Sequence, residues 1–473
     1  METATTLLNS PEAESTRDKP VRRKKCLLVA FDFPPRRTSG IYRPTGLTKY
    51  LVQFGWEPTV LTARARKGEL QDPTLLERIP PTVRTVRTRY LDFTRWEEPT
   101  ARVARGTGTL RSQANRARRP GLDRVLRRLG AFARSCLYFP DDTVGWVPFG
   151  LAKAIWLKQK DSFDLVYSSS PPRSSLIISL LLKMLLRVCW VAEFRDPWFL
   201  AERPIRRRIE RWLIGLILRK ADAIVVVTAN HARELSDSYG IPDKKIVVIP
   251  NGFDEEDFPS DHNVASSDLL APGYIHLTHF GTVYPNCSGA FFQALEEIVT
   301  DCPEMKERIR VNIIGYPDEV VRRHAADKTL AGIVHVYGFM PHRQAIQAMY
   351  SSDCLLLFYA NSDFSRLAVA GKTYEYLRVG RPILAITREG GMKRLIEEGK
   401  AGWVAHPEDA QAIKRALLTV LQDGRSSRPN DPAREEFVAQ FRYDRLAGRL
   451  AGVFDEVSKC AGQPSPRRSP SDR

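Results

Sequence analysis

Short apolar runs alternate with longer amphipathic stretches along most of this chain. Runs such as Lys25–Phe31 have the length and composition of buried strands, and the stretches between them show helical spacing. In the first half, the predicted strands are 25–31, 58–62, 164–168, 189–194, 223–227 and 246–249, and the predicted helices are 42–54, 147–160, 173–187, 204–220 and 229–239. This order predicts a doubly wound parallel sheet.

A second alternation follows residues 253–272, whose Ser, Asp and Pro content is that of a linker. Its predicted strands are 274–280, 309–315, 333–337, 353–358, 382–387 and 401–405, and its predicted helices are 288–300, 318–327, 342–350, 371–379, 391–398 and 408–423. A last helix, at about 432–458, follows the second sheet. The predicted fold class is therefore α/β, with two Rossmann-like domains that face a cleft, and ligands are expected at the carboxyl ends of the strands.

A length of 473 residues agrees with two domains of ordinary size. The predicted organisation is a disordered head (1–20), an N-terminal Rossmann-like domain (21–252) with a basic insert (about 95–140), a linker (253–272), a C-terminal Rossmann-like domain (273–431), a C-terminal helix (432–460) and a disordered tail (461–473).

The formal net charge of +17 is concentrated in one place, since Arg102–Arg134 contains ten Arg and one Asp. Apolar residues recur at helical spacing between Leu122 and Phe132, which predicts a basic amphipathic helix for an anionic membrane surface or for inward packing. A second basic and apolar run, Arg203–Lys220, is expected to pack against the core.

The seven Cys residues are odd in number and scattered, which favours a reducing compartment over disulfides or a zinc site. The polar head does not have the pattern of a signal peptide, and Lys183 and Arg187 interrupt the most apolar run, Leu176–Ala192. We therefore expect a cytoplasmic protein, either free or peripheral on the inner face of the cytoplasmic membrane.

The richest segment chemically is Ala370–Ala385, where Gly371 begins a predicted helix and Glu375 lies one turn inside it. Free N–H groups and the positive end of the helix dipole form an anion site, and a carboxylate one turn later can accept bonds from ribose hydroxyls. An ordinary helix with a surface Glu remains the alternative from this pattern alone.

Other strand-end loops could complete a nucleotide site. In the second half they contribute Gly281, Thr282, Gly315, Phe339 and Arg366. In the first half, Arg195 and Asp196 are candidates for chemistry, although an ion pair that caps the strand would also explain them. The candidates for the acceptor side are Ser170, Arg173, Asp141 and Trp198, and Asp141 could instead be a helix cap.

The chain resembles the retaining glycosyltransferase family 4, which has the two-domain GT-B fold. The matching segments are Pro34 to Gly40, Ser170–Pro172, Arg195–Trp198, Val248–Asp254 and Lys372–Pro382. The resemblance implies transfer of a sugar from a nucleotide-diphosphate sugar to a glycan- or lipid-linked acceptor, as in polysaccharide biosynthesis, with retention of anomeric configuration. It further implies that the diphosphate rests on the helix that starts near Gly371 and that Glu375 binds the ribose. We also expect donor contacts from Gly40, Lys372 and Thr373, and we expect Arg195, Asp196 and Lys372 to be the catalytic residues.

The sequence departs from the family at two places. The first of two Glu residues in the family motif would fall at Leu367, and no Arg or Lys follows Gly281 closely. Charge compensation for the diphosphate is therefore expected from Lys372 and Arg366. No cofactor or metal is expected; His276 and His279 lie on opposite faces of a strand and are interpreted as structural.

Two other functions remain open from the sequence. A nucleotide-sugar epimerase could use the same scaffold, although Glu193 and Asp196 are the only evident carboxylates for proton abstraction. A basic nucleic-acid-binding protein would need aromatic residues among the positive charges, and residues 102–131 contain none.

Overall fold

The protein is represented by a computed structural model that describes residues 23–66, 68–92, 138–259, 267, 269–359, 361–423 and 431–460. The predicted head, the tail and nearly all of the basic insert, including Arg102–Arg134, lie outside the described residues. None of the described helices is long and apolar enough to cross a membrane.

The first domain is built on a seven-stranded parallel sheet in the order β3-β2-β1-β4-β5-β6-β7. Its strands are β1 (Lys24–Val29), β2 (Trp56–Ala63), β3 (Arg84–Thr88), β4 (Leu165–Ser170), β5 (Trp190–Phe194), β6 (Ala223–Val226) and β7 (Ile246–Val248). Its helices are α1 (Tyr42–Leu51), α2 (Val147–Asp161), α3 (Ser174–Leu186), α4 (Pro204–Lys220) and α5 (Ala229–Tyr239). Helices α2 to α5 supply the core on one face of this sheet, and α1 packs on the other.

The second domain is built on a six-stranded parallel sheet in the order β10-β9-β8-β11-β12-β13. Its strands are β8 (Ile275–Phe280), β9 (Ile309–Ile314), β10 (Val334–Val336), β11 (Cys354–Phe358), β12 (Ile383–Ile386) and β13 (Gly402–Ala405). Its helices are α6 (Gly289–Asp301), α7 (Glu319–Ala326), α8 (His342–Ser351), α9 (Asp363–Leu367), α10 (Gly371–Val379), α11 (Gly391–Glu398) and α12 (Ala410–Asp423). The predicted fold class, two Rossmann-like domains, is confirmed.

The predicted last helix is in fact two helices, α13 (Pro432–Ala439) and α14 (Tyr443–Cys460). The break allows α14 to return to the first domain, where Leu446, Leu450 and Phe454 are fully buried in the same cluster as Leu28. Asp455 of α14 also accepts a hydrogen bond from the Trp56 indole at 3.2 Å. The end of the chain is therefore part of the first domain's core.

The chain thus crosses between the domains twice, and the two crossings are bonded to each other. The Phe253 N–H donates to the Phe441 carbonyl at 3.1 Å, and the Tyr443 N–H donates to the Phe253 carbonyl at 2.9 Å. Gly252 permits this approach, because a Cβ there would lie 2.1 Å from the Phe441 oxygen.

A buried ion pair joins α1 to the sheet and to the first crossing. Arg43 Nε donates to Glu193 Oε1 at 2.8 Å, and its Nη2 donates to the Ile249 carbonyl at 2.9 Å. The other Glu193 oxygen accepts from Ser169 Oγ at 2.6 Å. Burial alone would raise the pKa of Glu193, but the Arg43 charge and the hydrogen bonds from Arg43 and Ser169 together outweigh it, so the pKa is lowered.

We expect Glu193→Gln to lower the free energy of unfolding by about 3 kcal/mol, because it leaves the Arg43 charge buried without a counter-ion. Denaturant unfolding monitored by circular dichroism measures the change. The matched control is Glu57→Gln, since Glu57 lies 3.9 Å from Arg23 at the surface and should change stability by less than about 1 kcal/mol. Equal losses in the two variants would contradict the role assigned to the buried pair.

Candidate active site

The first turn of α10 lies beside the carboxyl end of β8, at the point where the strand order of the second sheet reverses. Lys372 Nζ donates to the Phe280 carbonyl at 2.8 Å and lies 3.1 Å from His279 Nε2. A switch point of this kind is where open α/β sheets bind ligands. The lysine charge and the α10 N-terminus therefore converge on one place in the cleft.

Two glycines shape the floor of this place. Gly281 and Gly315 have φ values of +100° and +142°, and a Cβ on Gly315 would lie 2.2 Å from the Gly281 oxygen. Both loops therefore need glycine to pass so closely. The turn brings Gly281 next to Lys372, since a Cβ there would lie 3.4 Å from Nζ, and Thr282 follows directly.

His279 has a larger part than the sequence interpretation assigned to it. Its Nδ1 lies 2.9 Å from the Leu356 carbonyl, which can only accept, so Nδ1 carries the hydrogen and Nε2 is free to accept from Lys372. Burial, followed by the Lys372 charge, holds the pKa of His279 well below its usual 6.5. The imidazole is therefore a neutral acceptor that orients the lysine.

Burial also lowers the pKa of Lys372, to about 8. The two atoms that hold its ammonium group belong to a carbonyl and a neutral imidazole, so neither brings a negative charge. An anionic ligand at the start of α10 would supply that charge and favour the protonated lysine.

Glu375 points to a different part of the interface, where it is already paired. Its Oε1 lies 2.9 Å from His342 Nε2, and the His342 ring packs against Tyr42 of the first domain with centroids 5.2 Å apart. Arg78 Nη2 lies 3.1 Å from His342 Nδ1 and forms an ion pair with Asp257. Although burial opposes it, these carboxylates raise the pKa of His342.

The cavity beside Glu375 has a volume of about 20 Å³, which is room for a water molecule rather than a nucleoside. It is lined by Pro34, Ile41, Tyr42, Thr45, Gly46, Arg78, Gly252, Phe253, Asp254, Asp257, Glu375 and Tyr443. A ribose could reach Glu375 only after the two domains separate or these side chains move.

Two of the remaining predicted donor residues, Phe339 and Arg366, lie at contacts between the domains. Phe339 stacks under the Arg37 guanidinium at 3.7 Å, and the Arg366 carbonyl accepts from Asn230 Nδ2 at 2.9 Å. Leu367, at the place of the missing family Glu, is 1% exposed and packs inward. Thr373 is buried, and its hydroxyl has no hydrogen-bond partner among the described residues.

On the first-domain side of the cleft, Arg195 holds two loops together. Its guanidinium donates to the Gly40 and Pro171 carbonyls, so it connects the loops after β1 and β4. Burial raises the pKa of the neighbouring Asp196, with Arg195 opposing. Burial, followed by the Asp196 charge, raises the pKa of Tyr284 in the second domain.

Asp141, one of the predicted acceptor-side residues, caps the start of α3. Asp141 accepts from the Ser174 N–H at 3.2 Å and from Ser174 Oγ at 2.7 Å, and it also accepts from the Arg173 N–H. The Arg173 guanidinium lies 4.6 Å from the Trp198 ring. Ser170 is buried at the end of β4. Contact of these residues with an acceptor stays a prediction.

Among the described residues no group of three or more His, Cys, Asp or Glu side chains has a metal-binding arrangement. Cys26, Cys189, Cys287, Cys302 and Cys354 are free thiols.

Comparison with known families assigns both halves of the chain. Residues 109–257 match the model of Glycosyltransferase Family 4, and residues 276–423 match that of Glycosyl transferases group 1. The D-inositol 3-phosphate glycosyltransferase of Geodermatophilus obscurus is 24% identical over 264 residues, which are 54% of this chain and 57% of that protein. The glycogen synthase of Mycobacterium tuberculosis is 19% identical over 55% of this chain and 59% of that protein. The chain thus matches a little over half the length of these curated relatives.

Solved structures share the fold over nearly the whole chain. Sucrose-phosphate synthase from Thermosynechococcus elongatus superposes with a TM-score of 0.61 at 14% identity, covering 93% of this chain and 100% of that chain. Anabaena HepE in complex with UDP and glucose superposes with a TM-score of 0.60 at 15% identity, covering 92% and 100%. The architecture is therefore GT-B.

The lowered pKa of Lys372 makes a prediction about stability. Between its folded pKa of about 8 and its ordinary 10.5, the unfolded chain binds more protons, so stability rises with pH. Relative to Lys372→Met, the wild type should gain about 2 kcal/mol from about pH 7.5 to about pH 10. Urea unfolding of both proteins at each pH measures the gain.

The control is Lys328→Met, which removes an exposed lysine. Relative to this variant, the wild type should gain no stability over the same pH range. If the difference in free energy of unfolding between the wild type and Lys372→Met stays constant with pH, the lowered pKa of Lys372 is wrong.

Proposed function

We propose that this member of the glycosyltransferase family, with a Family 4 domain followed by a group 1 domain, transfers a sugar from a nucleotide-diphosphate sugar to a glycan- or lipid-linked acceptor. The observation that carries the proposal is the position of Lys372, whose partly buried ammonium group lies at the N-terminus of α10 beside the Gly281 turn. A diphosphate at this place would receive the lysine charge and the free α10 amides.

The chemistry needs a leaving nucleoside diphosphate to be stabilised as the glycosidic bond breaks. Preorganised cations and N–H groups directed at developing charge commonly supply the largest part of such catalysis. Lys372 and the start of α10 provide both, which supports a reaction without a metal. Same-face attack, with retention of configuration, needs no protein nucleophile, and Asp196 would face the reacting sugar from the first domain.

The nucleobase and the sugar of the donor are suggested by structural neighbours. HepE is described in complex with UDP and glucose, and an Escherichia coli trehalose-6-phosphate protein with UDP-2-fluoro glucose. These neighbours make a UDP-sugar the first donor to test. An epimerase or a nucleic-acid-binding protein is not favoured, because both family matches are to glycosyltransferases.

Nucleotide binding tests the donor site directly. One of UDP, GDP and ADP should raise the melting temperature of the protein, because a ligand of the folded state stabilises it. For that nucleotide, Glu375→Ala should weaken binding about tenfold or more, since a ribose hydroxyl loses a charged acceptor. Isothermal titration calorimetry measures the affinities.

The matched control is Glu397→Ala, which removes an exposed carboxylate from α11 and should leave the affinity unchanged. If Glu375→Ala binds the nucleotide with wild-type affinity, Glu375 does not contact the ribose. No stabilisation by any of the three nucleotides would count against the function itself.

Turnover tests the catalytic part separately. Lys372→Met should lower kcat for donor hydrolysis or transfer by about 100-fold or more, because charge on the leaving diphosphate loses its cation. The wild-type rate should persist in excess EDTA. Lys393→Met, on the exposed side of α11, is the control and should keep the wild-type kcat. Full activity of Lys372→Met, or complete loss in EDTA, would contradict the proposed chemistry.

A further inference from the structure

Helix α4 has two apolar faces, of which the sequence interpretation recognised one. Leu213, Ile214, Ile217 and Leu218 are buried in the core of the first domain. This confirms that the helix packs inward, as expected from its sequence.

The second apolar face of α4 is exposed. Ile205, Ile209 and Trp212 are 76%, 46% and 61% exposed. Their spacing of four and three residues places them in one stripe along the helix. Three large apolar side chains in one exposed stripe mark an interaction surface rather than the scattered apolar residues of an ordinary surface.

Arginines surround this stripe and have little to neutralise them. Arg203, Arg207 and Arg208 form no side-chain hydrogen bond or ion pair within the described part of the chain. Glu210, the one acidic residue between Arg203 and Trp212, is buried and pairs with Arg206 at 3.0 Å. The outer face of α4 is therefore apolar in the middle and cationic at its sides.

The neighbouring helices extend the same character. Helices α2, α3 and α4 pack side by side on one face of the first sheet. Trp156 of α2 is 43% exposed and lies 3.5 Å below the Lys153 ammonium, and Met184 and Leu185 at the end of α3 are 55% and 60% exposed. Arg187 follows them. Together these residues and those of the α4 stripe form what we call the basic-apolar face.

We propose that the basic-apolar face docks on an anionic lipid bilayer, with Ile205, Ile209 and Trp212 entering the headgroup region and the α4 arginines contacting lipid phosphates. Amphipathic surfaces that combine Trp or Ile with Arg bind membranes both by burying apolar side chains and by electrostatic attraction to anionic lipids.

Other occupants of this face fit the charges less well. A second copy of the chain would bring arginines against arginines, and the net charge of +17 opposes that approach. The chain's own insert carries ten Arg and one Asp between Arg102 and Arg134, so it is of the same sign. A nucleic acid would pair with the arginines but leave the apolar stripe in water.

Helix α4 begins close to the cleft, so a membrane bound to this helix would lie near the cleft. The helix begins at Pro204, eight residues after Asp196 at the carboxyl end of β5. A bilayer on this face would lie next to the first-domain wall of the cleft, where a lipid-carried acceptor could enter. The docking itself does not depend on the proposed sugar transfer.

Vesicle flotation tests the proposal with the full-length protein. The wild type should float with vesicles of phosphatidylcholine and phosphatidylglycerol in equal parts, and should dissociate in about 0.5 M NaCl. With phosphatidylcholine alone it should stay in solution. Arg207→Glu/Arg208→Glu and, separately, Ile209→Ser/Trp212→Ser should each lower the bound fraction about tenfold or more.

Matched controls separate this surface from general charge and apolarity. Arg322→Glu/Arg323→Glu on α7 changes the charge equally, and Leu70→Ser/Val336→Ser removes two exposed apolar side chains elsewhere; both should float like the wild type. Circular dichroism melting verifies that each variant is folded.

Three results would overturn the proposal. The first is that the wild type does not float with the vesicles. The second is that both α4 variants float like the wild type, which would leave the insert as the binding element. The third is that the protein binds duplex RNA but not vesicles, and that the α4 substitutions abolish the RNA binding. Nucleotide binding is measured separately, so failure here and failure of the proposed transferase function are distinguishable.

Discussion

The Arg43–Glu193 ion pair is the constraint on which the relation of the two domains depends. A charge inside a protein is tolerated only when it is paired and its remaining hydrogen-bonding groups are satisfied. Glu193 satisfies Arg43 from β5, and the carbonyls of Ile249 and Pro250 complete its coordination. Because these carbonyls begin the first crossing, satisfying one buried guanidinium also fixes where the chain leaves the first sheet. The chain enters the second domain from that point.

Lys372 presents the opposite situation in the second domain. Its ammonium group is partly removed from water but is held by neutral acceptors, His279 Nε2 and the Phe280 carbonyl. Arg43 therefore has its counter-ion built in, whereas Lys372 forms no ion pair with a carboxylate of the described residues. A structural cation is most stable when paired, but a binding cation must keep its charge available. The carboxylate partner of Arg43 suits a charge that supports the fold, whereas the neutral partners of Lys372 suit a charge that receives an incoming phosphate.

The fold could be predicted from the sequence because buried parallel strands and amphipathic helices have distinct local patterns. The edge strand β3, with Arg84 and Arg87 among its five residues, was missed because it lacks the apolar run of a buried strand. Local pattern also found Lys372 and Glu375, since a glycine-led helix start is a local feature. It could not find their partners, because His279 is 93 residues from Lys372 and His342 is 33 residues from Glu375. The exposed stripe of α4 was missed since periodicity shows that a face is apolar, but not whether something covers it.

The paired crossings at Phe253 and Tyr443 have a mechanical consequence. A single strand between two bodies can swivel about its own bonds, so the bodies can turn in many directions. Here two strands run through the same place, and the hydrogen bonds of Phe253 to Phe441 and Tyr443 tie them together. Twisting one domain against the other would shear these bonds, whereas bending about the line that passes through both strands leaves them intact. A bending movement about this paired connection would therefore keep the start of α10 in line with the Arg195 and Asp196 wall of the cleft.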